Sequence, residues 1–437
     1  MLVVHSLGVA YGSRAILADV SFKLDEGMNV LVGPAGSGKT TLLRTLAGLN
    51  IQQPQMVTWG EATLNGSALE RAAPPELVLQ KERLLPLSVF ECLRIGAPAT
   101  SQIRSRQYVS RRLTDLGFDY LASQLDRSVG TLSFAGKRLL VLLRACLRDN
   151  PVLMADEPMA ELSDDQAEPL LRILNAEAQR RTVLVVTHNQ TRASALGGQT
   201  IFLAGGTVRT SAPTERFFDP AIATGLEAQF LETGRVSLPS INADPRTLSA
   251  DSPRPLTVDI PARGRGPRSF HWLIPGRIGG CPRPGVVVNF DEDMRELQNL
   301  GITILVNLEE EVLYSEAAAN EFGIEVIHEP VRDMSVPTLE RARQLCRLLK
   351  RLGESGESVA VHCRAGQGRT GLVMAMVLIS HGQAPADSFR VVQAINPRWI
   401  QSDEQLEFLP EFSGFLAVHG EGGPRREANL SAEGYVR

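Results

Sequence analysis

At 437 residues the chain is too long for one ordinary domain, and two or three are expected. Hydrophobic residues make up 43%, so sizeable cores can form, while a net charge of −4 excludes a globally basic nucleic-acid binder. The five cysteines are an odd, scattered set, which suits reduced thiols in a cytoplasm better than a disulfide framework.

The first residues, "MLVVHSLGVAYGSR", lack a charged start followed by a long apolar core, so no secretory leader is expected. From residue 1 to about 210, apolar runs alternate with helical patterns, and "MNVLVG", "PVLMAD" and "RTVLVVTH" read as buried strands of an α/β sheet. Between the strand "NVLVG" and the helix "TTLLRTLAGL" lies "GPAGSGKTT": Gly33, Pro34, Ala35, Gly36, Ser37, Gly38, Lys39, Thr40 and Thr41. It fits G-x-x-x-x-G-K-[ST], whose backbone N–H groups and helix N-terminus converge on phosphate oxygens. Lys39 is positioned to neutralise β/γ oxygens and Thr40 to ligate Mg²⁺. "VLMADEP" ends a strand with Asp156, suited to the Mg²⁺ shell, and Glu157, suited to polarise water. His188 ends "VLVVTH", where an imidazole reaches toward a γ-phosphate. The basic clusters near Arg111 and Arg265 read as solvated surface, so no nucleic-acid partner is expected.

Over residues 1–210 these motifs resemble the ATP-binding cassette (ABC) ATPases, P-loop NTPases of α/β fold. The resemblance implies that Tyr11 stacks on adenine and that Gln80 touches Mg²⁺ and the attacking water. It also implies a head-to-tail homodimer enclosing two ATP molecules. Two departures stand out. The family's LSGGQ signature reads "LSFAG" over residues 132–136, and Ala135 puts a Cβ where backbone should approach the partner's γ-phosphate. After "DEP" comes "MAELS", with Ser163 where an aspartate normally crosses the dimer interface. ATP binding is expected, rapid hydrolysis less so.

Residues 211–270 begin with "TERFFDPAIATGLEAQFLETG", apolar enough to pack as a helix on the first domain. A Pro/Ser/Gly/Arg-rich linker follows, "SLPSINADPRTLSADSPRPLTVDIPARGRGPRS". A second α/β domain is expected over 271–420, with strands at "GVVVNF", "GITILVNL", "IEVIHEP" and "ESVAVHC", and a disordered tail over 421–437. The longest near-apolar helical stretch, "GLVMAMVLIS", is about half the roughly 20 residues that span a bilayer.

"HCRAGQGRT" in this second domain has the spacing C-x5-R-[ST], again between a strand and a helix. Residues Arg364, Ala365, Gly366, Gln367 and Gly368 build a semicircle of N–H donors around an oxyanion, with the Cys363 sulfur at its centre. The helix N-terminus and Arg369 favour a thiolate able to attack phosphorus and form a phosphocysteine. Arg369 would grip two phosphate oxygens, and Thr370 would donate to the departing sulfur. Asp333, on a loop about 30 residues earlier, supplies the acid for the leaving group and then a base for water. His362 reads as support for Cys363 rather than as a base.

Residues 270–415 resemble the dual-specificity branch of the protein tyrosine phosphatases, with "WLIPGRIGGCPRPG", "LQNLGITILVNLEEE" and "NPRWIQSDEQLEFL" as supporting segments. The resemblance implies that Gln405 positions the hydrolytic water and that no cofactor is needed. No tyrosine-bearing recognition loop is evident, and Gln367 stands where phosphoinositide-selective relatives tend to carry lysine, so a phosphoprotein is favoured over a lipid headgroup. Cys281 is a candidate disulfide partner for Cys363.

The expected protein is a cytoplasmic ABC-type ATPase fused to a cysteine-dependent phosphatase, with ATP-driven dimerisation gating the second activity. Two alternatives stay open. One is the ATP-binding subunit of a transporter, held at the inner membrane face by a permease, with an accessory phosphatase. The other is a nucleotide-sensing scaffold with little turnover.

Overall fold

Runs of Val, Leu and Ile with no polar alternation demand cover on both faces, and they form the interior of each sheet. The computed structural model describes residues 1–11, 14–50, 55–69, 74–80, 82–98, 100–236, 266–312 and 314–419. Most of the linker expected before residue 270, and the tail expected at 421–437, lie outside these residues. The chain divides into two compact units: the first holds described residues from 1–48 and 56–236, and the second holds residues 49–50 and 55 together with 266–419.

The first unit holds β1 (Leu2–Tyr11), β2 (Arg14–Leu24), β3 (Gly27–Val32), β4 (Met56–Leu64), β5 (Ser67–Ala68), β6 (Glu76–Val78), β7 (Val152–Asp156), β8 (Thr182–Val186), β9 (Gln199–Ala204) and β10 (Thr207–Pro213). Their order is β5-β4-β1-β2-β10-β9-β3-β8-β7-β6. β9, β3, β8, β7 and β6 are mutually parallel, and β7 and β8 are buried at every position, as helices on both faces require. β1, β2 and β4 form an antiparallel wing that the sequence did not announce. β2 alternates exposed and buried positions, the pattern of a sheet with one wet face.

The segment expected as one helix over 214–234 forms two, Thr214–Phe217 and Gly225–Thr233, separated around Asp219 and Pro220. Both dock on β9: Phe217 and Phe230 lie 5.6 and 5.1 Å, ring to ring, from Phe202.

The second unit holds β11 (His271–Ile274), β12 (Ile278–Pro282), β13 (Ile304–Asn307), β14 (Glu325–His328) and β15 (Val359–Cys363), ordered β11-β12-β15-β13-β14. All but β11 run parallel, so the carboxyl ends of four strands share one edge. The helix Gly368–Ser380 is buried along almost its whole length, which explains why its sequence is apolar all round.

One expected strand is absent. "GVVVNF" forms a turn and loop leading into the helix Phe290–Asn299. Three β-branched residues in a row suit a strand, but β12 already ends at Pro282 and Pro284 follows at once. Gly285 N–H then donates to Asp293 Oδ2 at 2.8 Å, and Asn289 caps the helix by accepting from Glu292 N–H at 2.8 Å. Among the described residues, no helix is long and apolar enough to cross a membrane.

Candidate active sites

In the first unit, β3 feeds the glycine-rich turn and the helix Lys39–Leu46 continues from it. Gly38 adopts φ 101°, and a Cβ there would lie 2.6 Å from Leu17, so only glycine fits. Lys39 folds back over the loop. Its ammonium donates to the carbonyls of Gly33 at 2.9 Å and Pro34 at 2.8 Å, and to Ser37 Oγ at 3.4 Å. Burial lowers its pKa, and the nearby charges of Glu157 and Asp156 offset part of that shift. A buried cation whose hydrogen bonds all go to neutral oxygens is suited to an anion.

Thr40 Oγ1 donates to Asp156 Oδ2 at 2.7 Å, pairing two hard oxygen donors of the kind Mg²⁺ takes alongside phosphate. Burial raises the Asp156 pKa, and the Thr40 hydrogen bond opposes it. Glu157 stands at φ 50°, and its Oε1 lies 2.7 Å from His188 Nδ1. The structure therefore joins Thr40 to Asp156 and Glu157 to His188, at the carboxyl ends of adjacent strands β7 and β8. Sequence reasoning missed Arg44, which lies buried on the loop's helix and is drawn electrostatically to Asp156.

The remaining expected residues are placed as follows. Tyr11 closes β1, in register with Arg14 and Met56. Thr41 is the third residue of the loop's helix, where its carbonyl accepts from Thr45 Oγ1 at 2.8 Å. The Gln80 carbonyl accepts from Arg138, and Arg144 pairs with Glu82 just beyond it. Ala135 lies in the first turn of the helix Phe134–Cys146, whose N-cap Ser133 accepts from Gly136 N–H at 3.1 Å. Ser163 caps the helix Asp164–Ala178 in a reciprocal capping box with Gln166, a local reason for serine at that position.

In the second unit, Cys363 ends β15 and is only 4% exposed. Thr370 Oγ1 donates to its Sγ at 3.2 Å. Among the described residues, no hydrogen-bond acceptor takes the backbone N–H groups of residues 364–369, which leaves the donors of the loop free for an oxyanion. Trp399 Nε1 donates to Gly366 O at 3.0 Å and supports the loop from below. Gly366 has φ 63°, and a Cβ there would lie 2.4 Å from the Cys281–Pro282 backbone. Gly366→Ala is therefore expected to displace the loop, lowering kcat/KM on a phosphomonoester at least about tenfold and costing about 1–3 kcal/mol in denaturant unfolding.

The Arg369 guanidinium is buried and fully engaged on one side. Nη1 donates to Glu310 Oε2 at 2.9 Å and Val331 O at 2.8 Å, and Nη2 lies 3.0 Å from Asp333 Oδ1. Asp333 is 68% exposed, and its N–H donates to Glu310 Oε1 at 3.1 Å. Accepting that N–H, together with the Arg369 pairing, holds the Glu310 carboxyl below the usual glutamate range. The structure thus brings Cys363, Arg369, Thr370 and Asp333 together. It adds Glu310, which the sequence showed only as one of three glutamates in "NLEEE".

Gln405 is fully buried as part of a capping box. Its Oε1 accepts from Gln401 N–H at 2.9 Å and Ser402 N–H at 3.4 Å, and its Nε2 donates to Ser335 O at 3.3 Å. Three of its four hydrogen-bonding positions are thereby taken. Gln401, which sequence reasoning passed over, donates from Nε2 to Gln367 Oε1 at 2.9 Å. Both glutamines border Gly368.

Cys281 is in register with His362, and neighbouring residues along a strand face opposite sides. It therefore sits on the face opposite the Cys363 side chain, in a core with Met294 and Leu297, and both thiols are free. The candidate Cys281–Cys363 disulfide is excluded on that ground. Burial also pushes the Cys281 thiol pKa up, keeping it protonated.

His362 is enclosed, with Nε2 2.6 Å from the Tyr314 hydroxyl and Nδ1 3.8 Å from Glu309 Oε1. Burial, reinforced by Arg283 and Arg369, lowers its pKa from 6.5 to about 3, and the Cys363 backbone opposes part of that shift. The unfolded chain takes up a proton below pH 6.5 that the folded unit refuses until about 3, so stability falls as pH falls through that window. The loss approaches about 1.4 kcal/mol per pH unit. His362→Asn should show a shallower decline in melting temperature between pH 6.5 and 4.5 than the wild type. Parallel declines would contradict this assignment.

A family model described as "ABC transporter" matches residues 17–160, and one described as "Polymorphic toxin system, DSP-PTPase phosphatase" matches residues 279–383. The thiamine import ATP-binding protein ThiQ of Mesorhizobium japonicum is 32% identical over 214 residues, covering 48% of this chain and 83% of that protein. The phosphate import ATP-binding protein PstB of Mycobacterium intracellulare is 29% identical over 224 residues, covering 48% of this chain and 79% of that protein. A solved ATP-binding subunit of an ABC transporter aligns at 24% identity and a TM-score of 0.46, over 54% of this chain and all of that one. The chain belongs to the ABC ATP-binding family and carries, in the same polypeptide, a second α/β domain of a phosphatase family.

Proposed function

We propose that the second unit hydrolyses phosphomonoesters through a phosphocysteine, while the first binds ATP with Mg²⁺. The observation that carries this reading is the meeting of Cys363 Sγ with Thr370 Oγ1 at 3.2 Å, under a ring of free N–H donors and beside an Arg369–Asp333 pair at 3.0 Å. An incoming phosphate dianion competes with Glu310 and Asp333 for the guanidinium, and its arrival frees Asp333 to face the leaving group. Cys363 Sγ attacks phosphorus as the thiolate, its proton lost to solvent; the bond to the ester oxygen breaks, and Asp333, having taken up a proton from solvent on leaving Arg369, passes it to that oxygen. Water then attacks phosphorus and gives its proton to Asp333. The P–S bond breaks, and Thr370 O–H stabilises the returning thiolate. Buried and neutral, His362 stays outside this proton traffic and positions the strand end.

In the ATP-binding unit, Lys39 and the loop N–H groups hold the phosphates, and Thr40 and Asp156 would hold Mg²⁺, which when bound offsets phosphate charge. Glu157, held by His188, orients water, with Gln80 and Tyr11 completing the nucleotide site. Ala135 and Ser163 argue for slow turnover and for ATP acting as a binding signal through homodimerisation, which would gate the phosphatase. The similarity to import ATP-binding proteins favours a second reading, in which a permease docks on this unit at the inner membrane face.

A panel of phosphopeptides, inositol phosphates, nucleotides and phospholipids tests the phosphatase reading. Wild type should turn over at least one class, with phosphopeptides favoured, and Cys363→Ser should retain that substrate without turnover. Inactivity of the wild type on every class, or activity surviving in Cys363→Ser, would overturn it. Equal phosphatase rates with and without saturating ATP would remove the gating.

A further inference from the structure

Among the described residues, the exposed large apolar side chains of the phosphatase unit are not scattered. Val286, Val287 and Val288 are 43%, 45% and 38% exposed, Val312 41% and Met334 47%, and only Val418, at the end of the last helix, lies elsewhere. These five follow the carboxyl ends of the parallel strands β12, β13 and β14, the sheet edge on which Cys363 ends β15. Single exposed apolar residues are ordinary, but a group on one rim marks a recognition surface.

Each segment is tied to the reacting groups. Arg283 N–H, at the root of the valine loop, donates to Cys363 O at 2.9 Å. Val312 stands two residues after Glu310, which holds Arg369. Met334 N–H donates to Asp333 Oδ1 at 3.1 Å, and the residue holds φ 60°, a strained backbone for a side chain of this size. Charge on the rim is mixed: Glu309, Glu310, Asp333 and Glu404 stand against Arg283, Arg332 and Arg364, with Arg283 already paired to Glu309 at 3.1 Å, and the phosphate loop contains no lysine. Nothing there provides the positive field that a multiply phosphorylated headgroup needs.

We infer that this rim selects the substrate: a phosphorylated side chain in an extended polypeptide, flanked by apolar residues that lie on Val286–Val288, Val312 and Met334. The inference rests on the phosphatase reading and names its substrate class.

The test uses the full chain with Cys363→Ser as the trap. Its ligands are matched phosphotyrosine and phosphothreonine peptides flanked either by Leu and Val or by Ser and Asp. The trap should bind the apolar-flanked member about tenfold more tightly, and adding Val286→Ser, Val287→Ser and Val288→Ser should bring that ratio near one. Met334→Asn, which tolerates the left-handed backbone, should lower the ratio independently. Equal affinities for the two flanks, or a ratio unmoved by either variant, overturn the rim. So does valine-dependent sedimentation with phosphatidylglycerol vesicles alongside an unchanged peptide ratio, which assigns the loop to lipid. Turnover of p-nitrophenyl phosphate by the wild type decides the phosphatase reading separately, because the affinity ratio does not require catalysis.

Discussion

Arg369→Lys is expected to lower kcat/KM on phosphomonoesters by a factor on the order of 10³, with the fold intact. The guanidinium reaches Glu310, Asp333 and the Val331 carbonyl at once, at 2.8–3.0 Å, and so sits in a fixed plane before substrate arrives. Two parallel N–H donors can then meet two phosphate oxygens. Lysine offers one point charge on a flexible stem, which keeps the charge and loses the fork. It also releases Glu310 and Asp333 from their common anchor, so the acid loop loses its position. Steady-state kinetics with a circular-dichroism check on folding would measure this, and a loss below about fivefold would show that the fork is dispensable.

Lys39→Ala should weaken ATP binding by roughly 10²-fold or more, since charge-assisted hydrogen bonds to phosphate are each worth about 1.5–3 kcal/mol. The ammonium is buried and spends its donors on Gly33 O, Pro34 O and Ser37 Oγ, so the loop is already shaped around it. Removing it leaves only Arg44 to oppose the Asp156 carboxylate, and takes the Lys39 charge from beside Glu157, at the place where polyphosphate must sit. Calorimetric titration of ATP with Mg²⁺ would read the effect. The same variant should leave Cys363-dependent hydrolysis of small phosphomonoesters in the absence of ATP intact, because each phosphate loop is built within its own unit.

Both phosphate loops were legible in the sequence because each is a local device. A strand, a glycine turn and a helix N-terminus occupy one short stretch, and residue spacing alone aims the N–H groups. The partners that complete each site were less visible. Glu310 meets Arg369 across 59 positions of chain, and Tyr314 meets His362 across 48, contacts that only the sheet order creates. Val286–Val288 misled for the opposite reason: strand propensity was high, but Pro282 and Pro284 removed the pairing the run would have needed. Ser163 and Gln405 carried meanings drawn from resemblance, while their immediate neighbourhoods use Ser163 as a helix N-cap and Gln405 as the third-residue partner in the Ser402 capping box.

The most direct test of two phosphate chemistries in one chain is rapid-quench mass spectrometry of the wild type during turnover of a phosphomonoester. One phosphoryl group should appear on the peptide containing Cys363 and be absent in Cys363→Ser, yet persist in Lys39→Ala without added ATP. Steady turnover with no phosphoryl group on Cys363, or a phosphoryl group that disappears with Lys39, would contradict the account.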